Sequence, residues 1–344
     1  RDAAEADIDW QKAGPLDPEL RLYARAAGDD KGPIIAMLAA LDVLRATARK
    51  PAANIRFVFE GEEEAGSPNL GAYLEKYPEK LRPDAWILCD GPVHQSRRQQ
   101  LFFGARGITE VDLTVYGPVK GLHDGHYGNW VRNPVVGLAH LINSIRDETG
   151  RILIKGFYDE VQPPTAAELE ALKRIPNVEP ELRREFQIGA VEGDGKPLNE
   201  LLMLPALNLR GIEAARVGAQ ASNTIPTEAR ASIDFRLVPK QTPASVRDLF
   251  ERHLVAEGCT IVRETPNAET RRAHGKIVKT EWGSGYQPAR TSLDLPLSRE
   301  ISRVMTAAGH EPLLLPTMGG SIPRVSLPAA QGNTSDRLAD CKPR

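Results

Sequence analysis

At 344 residues the chain is long enough for two domains of ordinary size and a large buried core. It is 41% hydrophobic and 26% charged, a globular composition, and its net charge of -2 excludes a general attraction to nucleic acid or to an acidic membrane surface. No apolar run approaches the ~20 residues of a membrane span, and three widely spaced cysteines (Cys89, Cys259, Cys341) make neither a disulfide framework nor a CxxC pair, which points to the cytoplasm.

No signal peptide opens the sequence, and its first residue is Arg1 rather than Met, so the expectation is a start lying upstream. Residues 1–25 are charged and interrupted by proline (Pro15, Pro18), and predict an ordered loop or the tail of a missing element. Gly28-Asp29-Asp30-Lys31-Gly32-Pro33 leads into a segment with Ile34, Leu38, Leu41 and Leu44 at helical spacing, through about residue 48. Asp29 or Asp30 therefore stands at a helix N-terminus, where capping is the ordinary use of aspartate.

Residues 54–60 (Asn-Ile-Arg-Phe-Val-Phe-Glu) read as a buried strand that discharges into a carboxylate-rich turn, Gly61-Glu62-Glu63-Glu64-Ala65-Gly66-Ser67-Pro68. A helix follows near residues 70–77. Residues 84–90 form a second apolar strand, ending in Asp90 and the Gly91-Pro92 turn. The alternation argues for a mostly parallel sheet, and parallel strands present their carboxyl ends on one side. Asp29, Glu63 or Glu64, and Asp90 can thus converge, and divalent cations would relieve their mutual repulsion; a solvated acidic loop is the plainer alternative.

The pattern changes near Leu101. Residues 108–116 alternate like a half-exposed strand, so a second domain is expected from about Gly104. It holds a Gly-rich loop with two histidines (Gly121-Leu122-His123-Asp124-Gly125-His126), a helix over 133–145 and a strand over 151–154. Residues 156–205 are rich in proline and charge and predict short helices and loops. Strands over 207–210 and 227–237, a helix over 243–257 and a strand over 260–264 give an antiparallel α/β sandwich pattern, half of a ferredoxin-like unit. After a turn-like stretch over 282–291 come a helix over 293–308, a strand over 312–315 and the turn Gly319-Gly320-Ser321-Ile322-Pro323. This last part is expected to return to the first domain, which makes the second an insertion.

Taken in order, Gly28-Asp29-Asp30-Lys31-Gly32, the Glu60 to Ser67 turn, Leu88-Cys89-Asp90, Leu122-His123-Asp124-Gly125, Asp234-Phe235-Arg236-Leu237-Val238-Pro239 and Gly319-Gly320-Ser321-Ile322-Pro323 resemble the two-metal zinc aminoacylase and dipeptidase family, which includes carnosinase, carboxypeptidase G and succinyl-diaminopimelate desuccinylase. The resemblance implies an α/β fold: a zinc-peptidase-like, mostly parallel sheet (residues 1–103 and 285–344) with an inserted α/β sandwich dimerisation or lid domain (residues 104–284). It implies that Asp29 bridges two divalent metal ions, zinc before manganese or cobalt, with Glu64 and Asp90 as further ligands. It implies Glu63 as general base to a metal-activated water, and His123 as the oxyanion donor in the partner subunit's site of a homodimer. Arg236 is implied to bind the substrate's carboxylate, with Thr224 and Ser321 completing the pocket; the guanidinium fork matches a carboxylate bidentately.

The expected activity is hydrolysis of an amide bond in a small peptide or N-acyl amino acid. His126 is given no role. His94, His140, His253, His274 and His310 are expected to face solvent or pack, and Cys89, on strand alternation, to pack in the core. Two family features are missing: a His-x-Asp pair before Asp29, since no histidine precedes residue 94, and a histidine after the Gly-Gly-Ser turn, since none follows His310. The residues 325–344 also do not read as a closing strand and helix. The sequence is therefore expected to be a copy incomplete at both ends, or a non-catalytic relative that keeps the fold and the dimer surface without the metal histidines. A phosphate-binding reading of the Gly-rich loops fails because no Walker spacing follows a strand.

Overall fold

The computed structural model describes residues 23–81, 83–309 and 311–321. The expectations for residues 1–22, for His310, for Ile322 and Pro323 and for the tail 325–344 lie outside the described residues. The chain divides into two compact units, residues 1–59 with 85–92, and residues 60–84 with 93–344. Among the described residues no helix is long and apolar enough to cross a membrane.

In the first unit, a helical turn Ala27–Lys31 runs into α1 (Gly32–Ala46), with Pro33 in its first turn, where a missing N–H costs nothing. Ile34, Met37, Leu41 and Leu44 make its half-buried stripe, whereas Leu38 is exposed. Residues 54–59 and 85–90 have the composition of central strands, but no strand pairs with either among the described residues. Ile55, Val58, Phe59 and Ile87 stay exposed. The two expected strands are corrected to segments without a pairing partner among the described residues, because a strand exists only where a neighbour takes up its backbone N–H and C=O groups.

The second unit runs α2 (Leu70–Lys76), β1 (Gln100–Phe102), β2 (Gly104–Ala105), β3 (Gly107–Tyr116), β4 (Leu122–His123), α3 (Asp124–Tyr127), α4 (Pro134–Ile145), α5 (Ala166–Lys173), α6 (Glu179–Phe186), α7 (Leu198–Leu201), β5 (Ala206–Glu213), β6 (Thr224–Ile225), β7 (Glu228–Leu237), α8 (Pro243–Ala256), β8 (Thr260–Val262), α9 (Ala268–Ala273), β9 (Ile277–Trp282), β10 (Ala289–Arg290), α10 (Pro296–Ala307) and β11 (Leu313–Leu315). Five strands form one sheet in the order β5-β7-β3-β9-β8, antiparallel except for the parallel β8-β9 pair. The expected strand over 151–154 is only an isolated bridge between Ile152 and Arg146.

Period-two alternation splits this sheet cleanly. Val111, Leu113 and Val115 of β3 and Ala229, Ala231, Ile233, Phe235 and Leu237 of β7 point to one face, where they pack against Leu138, Leu141 and Ile145 of α4 and Val246, Phe250 and Leu254 of α8. Both helices start on side-chain caps: Asn133 accepts from the Val135 N–H at 2.9 Å, and Thr242 and Ser245 bond each other reciprocally. The other face carries two polar cross-strand pairs, Glu110 opposite Asp234 and Asp112 opposite Ser232, and Ile108 opposite Arg236. A separate parallel ladder joins β1 to β11, and β2 pairs with β10. Together these give an α/β architecture with mixed strand directions.

Candidate functional site

In the first unit Asp29 and Asp30 are exposed on the turn that enters α1, joined by a cis peptide bond. Neither caps the helix: its N-cap position is Lys31, with no side-chain cap bond. Asp90 is half-buried. Cys89, expected in the core, is exposed instead, because among the described residues the segment carrying it pairs with no strand that would fix an inward side. Partial burial and then the charge of Asp30 push its thiol pKa up.

In the second unit the acidic turn sorts its four glutamates. Glu60 receives the Glu62 N–H at 2.8 Å and the Ser67 hydroxyl at 3.0 Å, and Asn69 Nδ2 donates to the two oxygens of Glu62 at 3.1 and 3.0 Å. Those two carboxylates hold the turn. Glu63 and Glu64 open a short 3-10 helix, Glu63–Ala65, which closes through Gly66 at φ 84°. Glu63 is half-buried and Glu64 exposed. Tyr286, absent from the sequence expectations, donates its hydroxyl to the Gly66 carbonyl at 2.5 Å. Burial, then the charges of Glu63 and Glu60, raise the Tyr286 pKa.

His123 lies on β4, opposite Thr224 of β6, so these two expected site residues are neighbours. Its Nδ1 accepts the Gly125 N–H at 3.1 Å, which puts the ring proton on Nε2 and leaves an outward donor. That is the form an oxyanion requires. His126 packs against the ring at a centroid distance of 4.9 Å, followed by Tyr127 and Trp130 at 6.3 Å steps.

Arg236 and Ser321 also meet: Nη1 of Arg236 donates to the Ser321 hydroxyl at 3.1 Å, while Nε donates to Asp234 at 3.2 Å. Arg236 sits on the sheet face opposite the one packed against α4 and α8, one third exposed, above a buried Asp234. The expected residues thus gather into two contacting pairs and one acidic turn in the second unit, with Asp29 and Asp90 in the first. A metal centre needs three or more donors in one place. Among the described residues no such group of His, Cys, Asp or Glu occurs.

A family model described as peptidase family M20/M25/M40 matches residues 3–325. The human Beta-Ala-His dipeptidase is 32% identical over 238 residues, 68% of this chain and 47% of its own length. A Cys-Gly metallodipeptidase from Schizosaccharomyces pombe is 27% identical over 271 residues, 78% of this chain and 56% of its own. Among solved structures, an M20 family metallo-carboxypeptidase from Sulfolobus solfataricus superposes with a TM-score of 0.72 at 30% identity, covering 88% of this chain and 66% of that one. The chain spans about half the length of the curated relatives it matches.

Proposed function

Since the chain belongs to the peptidase family M20/M25/M40, we propose that it hydrolyses an amide bond in dipeptide-like or N-acyl amino acid substrates. The observation that carries this reading is the Arg236–Ser321 pair, a guanidinium held by Asp234 with a hydroxyl beside it and a face open to solvent. That arrangement suits the free carboxylate such substrates share. Glu63 accepts the proton of the attacking water and returns it to the leaving amine; His123 offers its Nε2 proton to the oxyanion; Thr224 and Ser321 line the pocket.

Names of the relatives attach metal to this chemistry, and Asp29, Glu64 and Asp90 are this chain's candidate ligands for zinc, manganese or cobalt. Because the described donors do not form a metal centre, no step is routed through one. The second reading is a non-catalytic relative that keeps the fold and a dimer surface. We further infer residues 104–284 as an inserted lid or dimerisation domain, flanked by catalytic-domain segments 1–103 and 285–344, in a cytoplasmic homodimer. The sheet of β5-β7-β3-β9-β8 with α4 and α8 on one face supports that inference.

Metal analysis of chelator-free protein and a dipeptide panel with millimolar added zinc or manganese separate the two readings. About two ions per chain, with turnover that Glu63→Gln abolishes while metal is retained and that Asp29→Ala loses together with metal, support the hydrolase. No metal and no turnover support the second reading; full activity in Glu63→Gln excludes the base assignment.

A further inference from the structure

Arg106 precedes β3 and is buried, only 7% exposed. It lies two residues before Ile108, which pairs with Arg236, so alternation directs both guanidiniums to the same side of the sheet. Its Nη2 donates to the Leu204 carbonyl at 2.9 Å, while its Nε, fully buried, has no acceptor among the described residues. Its backbone N–H is shared between the carbonyls of Met318 and Gly320, at 3.3 and 3.2 Å, so it also anchors the turn that presents Ser321 to Arg236.

Two arginines thus face one carboxylate, Asp234. Burial and the neighbouring charge of Arg236 pull the Arg106 pKa down to about 10, with Asp234 opposing. A buried cation that is short of both a counter-charge and an acceptor is costly, unless an anion completes the cluster for part of the working cycle. We propose that Arg106 is a positioning residue for an anion subsite formed with Arg236 and Ser321, supplying the second positive charge that selects ligands with a free carboxylate. The inference rests on the hydrolase reading for the identity of the ligand. Arg236 and Ser321 are reached from solvent; Arg106 acts from beneath them, through its field and through the 318–321 turn.

The test is isothermal titration calorimetry with butyrate and butyramide as probes, which hold no peptide bond to cleave and so read carboxylate preference without turnover. The wild-type chain is expected to prefer the acid, Arg106→Gln to lose about tenfold of that preference with amide binding unchanged, and Arg106→Lys to keep most of it. Equal losses for acid and amide would mark a merely structural role and overturn the proposal, as would full preference in Arg106→Gln or no preference in the wild type. If Arg106→Gln does not fold, Asp234→Asn carries the test: its carbonyl still accepts from Arg236, so removal of the counter-charge is expected to tighten acid binding several-fold, and weaker or unchanged binding overturns the proposal. A chain that prefers the acid yet cleaves no dipeptide keeps the subsite and loses the hydrolase reading. One that cleaves dipeptides while Arg106→Gln retains full preference does the reverse.

Discussion

Replacing Arg290 by methionine removes one half of a buried ion pair. Arg290 lies on β10, which pairs with β2 immediately before Arg106, and its guanidinium grips both oxygens of Glu168 on α5; Nε donates at 2.5 Å. The side chains are 10% and 3% exposed. Burial alone would raise the Glu168 pKa, but the hydrogen bonds from Arg290 and from Thr165 outweigh it and hold the carboxyl below its ordinary value of 4.5. In the wild type this carboxylate therefore adds stability above pH ~4.5 that is lost as pH falls.

In Arg290→Met the sign reverses: the buried carboxyl, left with only Thr165, has a raised pKa and loses stability as pH rises. Protonation gives the variant an escape that caps the cost. At about 1.4 kcal/mol per pH unit above 4.5, the ceiling on the charge penalty is about 3.4 kcal/mol at pH 7 and about 0.7 kcal/mol at pH 5. Urea unfolding at both pH values measures this. The variant is expected to be about 3 kcal/mol less stable than the wild type at pH 7 and much closer to it at pH 5. Adding Glu168→Gln should remove the pH dependence. A cost under about 1 kcal/mol at pH 7, or the same cost at both pH values, refutes the reasoning.

Glu251 on α8 is bound by both Arg263 nitrogens, at 2.7 and 2.6 Å, and by Trp282 Nε1 at 2.8 Å, and the Arg263 bond leads in bringing its pKa down to about 2. Its stabilisation is complete above pH ~4.5 and is lost towards pH 2, so Glu251→Gln should flatten the acid limb of a circular-dichroism unfolding profile by about 1–2 kcal/mol, discounted for the solvated Arg263; an unchanged limb counts against the bridge. At Gly66, with φ +84°, an added Cβ would stand 2.8 Å from the Tyr286 hydroxyl. Gly66→Ala should cost about 1–2 kcal/mol in urea unfolding for the left-handed backbone, and pairing it with Tyr286→Phe should cost less than the two changes summed. Strict additivity would place the tyrosine elsewhere.

The elements that could be read from the chain are those whose signals agree at several levels. β3 and β7 alternate strictly, and α4 and α8 carry a cap residue, a proline in the first turn and an apolar stripe. The strand β9 was missed because Lys279 and Glu281 give it a polar look, although it lies inside the sheet between β3 and β8. The short helix α9, capped by Asn267, was missed for its length. Residues 54–59 and 84–90 erred the other way, since composition records a preference for the extended state and cannot supply the neighbour. Arg236, Ser321, His123 and Thr224 stand out in the sequence as single residues, and the structure adds that Arg236 meets Ser321 and that His123 lies opposite Thr224. Arg106 carried a usable signal, a charge set among Phe102, Phe103 and Ile108, where a buried arginine is out of place.

The β1-β11 ladder and the Arg106 anchor have a consequence for biosynthesis. The Arg98 guanidinium donates to the Glu311 carbonyl at 2.9 Å across 213 residues of chain. Closing a loop of that size costs roughly 5 kcal/mol of chain entropy before any contact rewards it. The antiparallel sheet can condense on the ribosome while the polypeptide is still growing, but the clasp around residues 311–321 must wait until that stretch has left the exit tunnel. Nascent chains arrested before it emerges should hold a protected β3-β7 ribbon beside a protease-sensitive segment at 98–106, and release should seal the cut site.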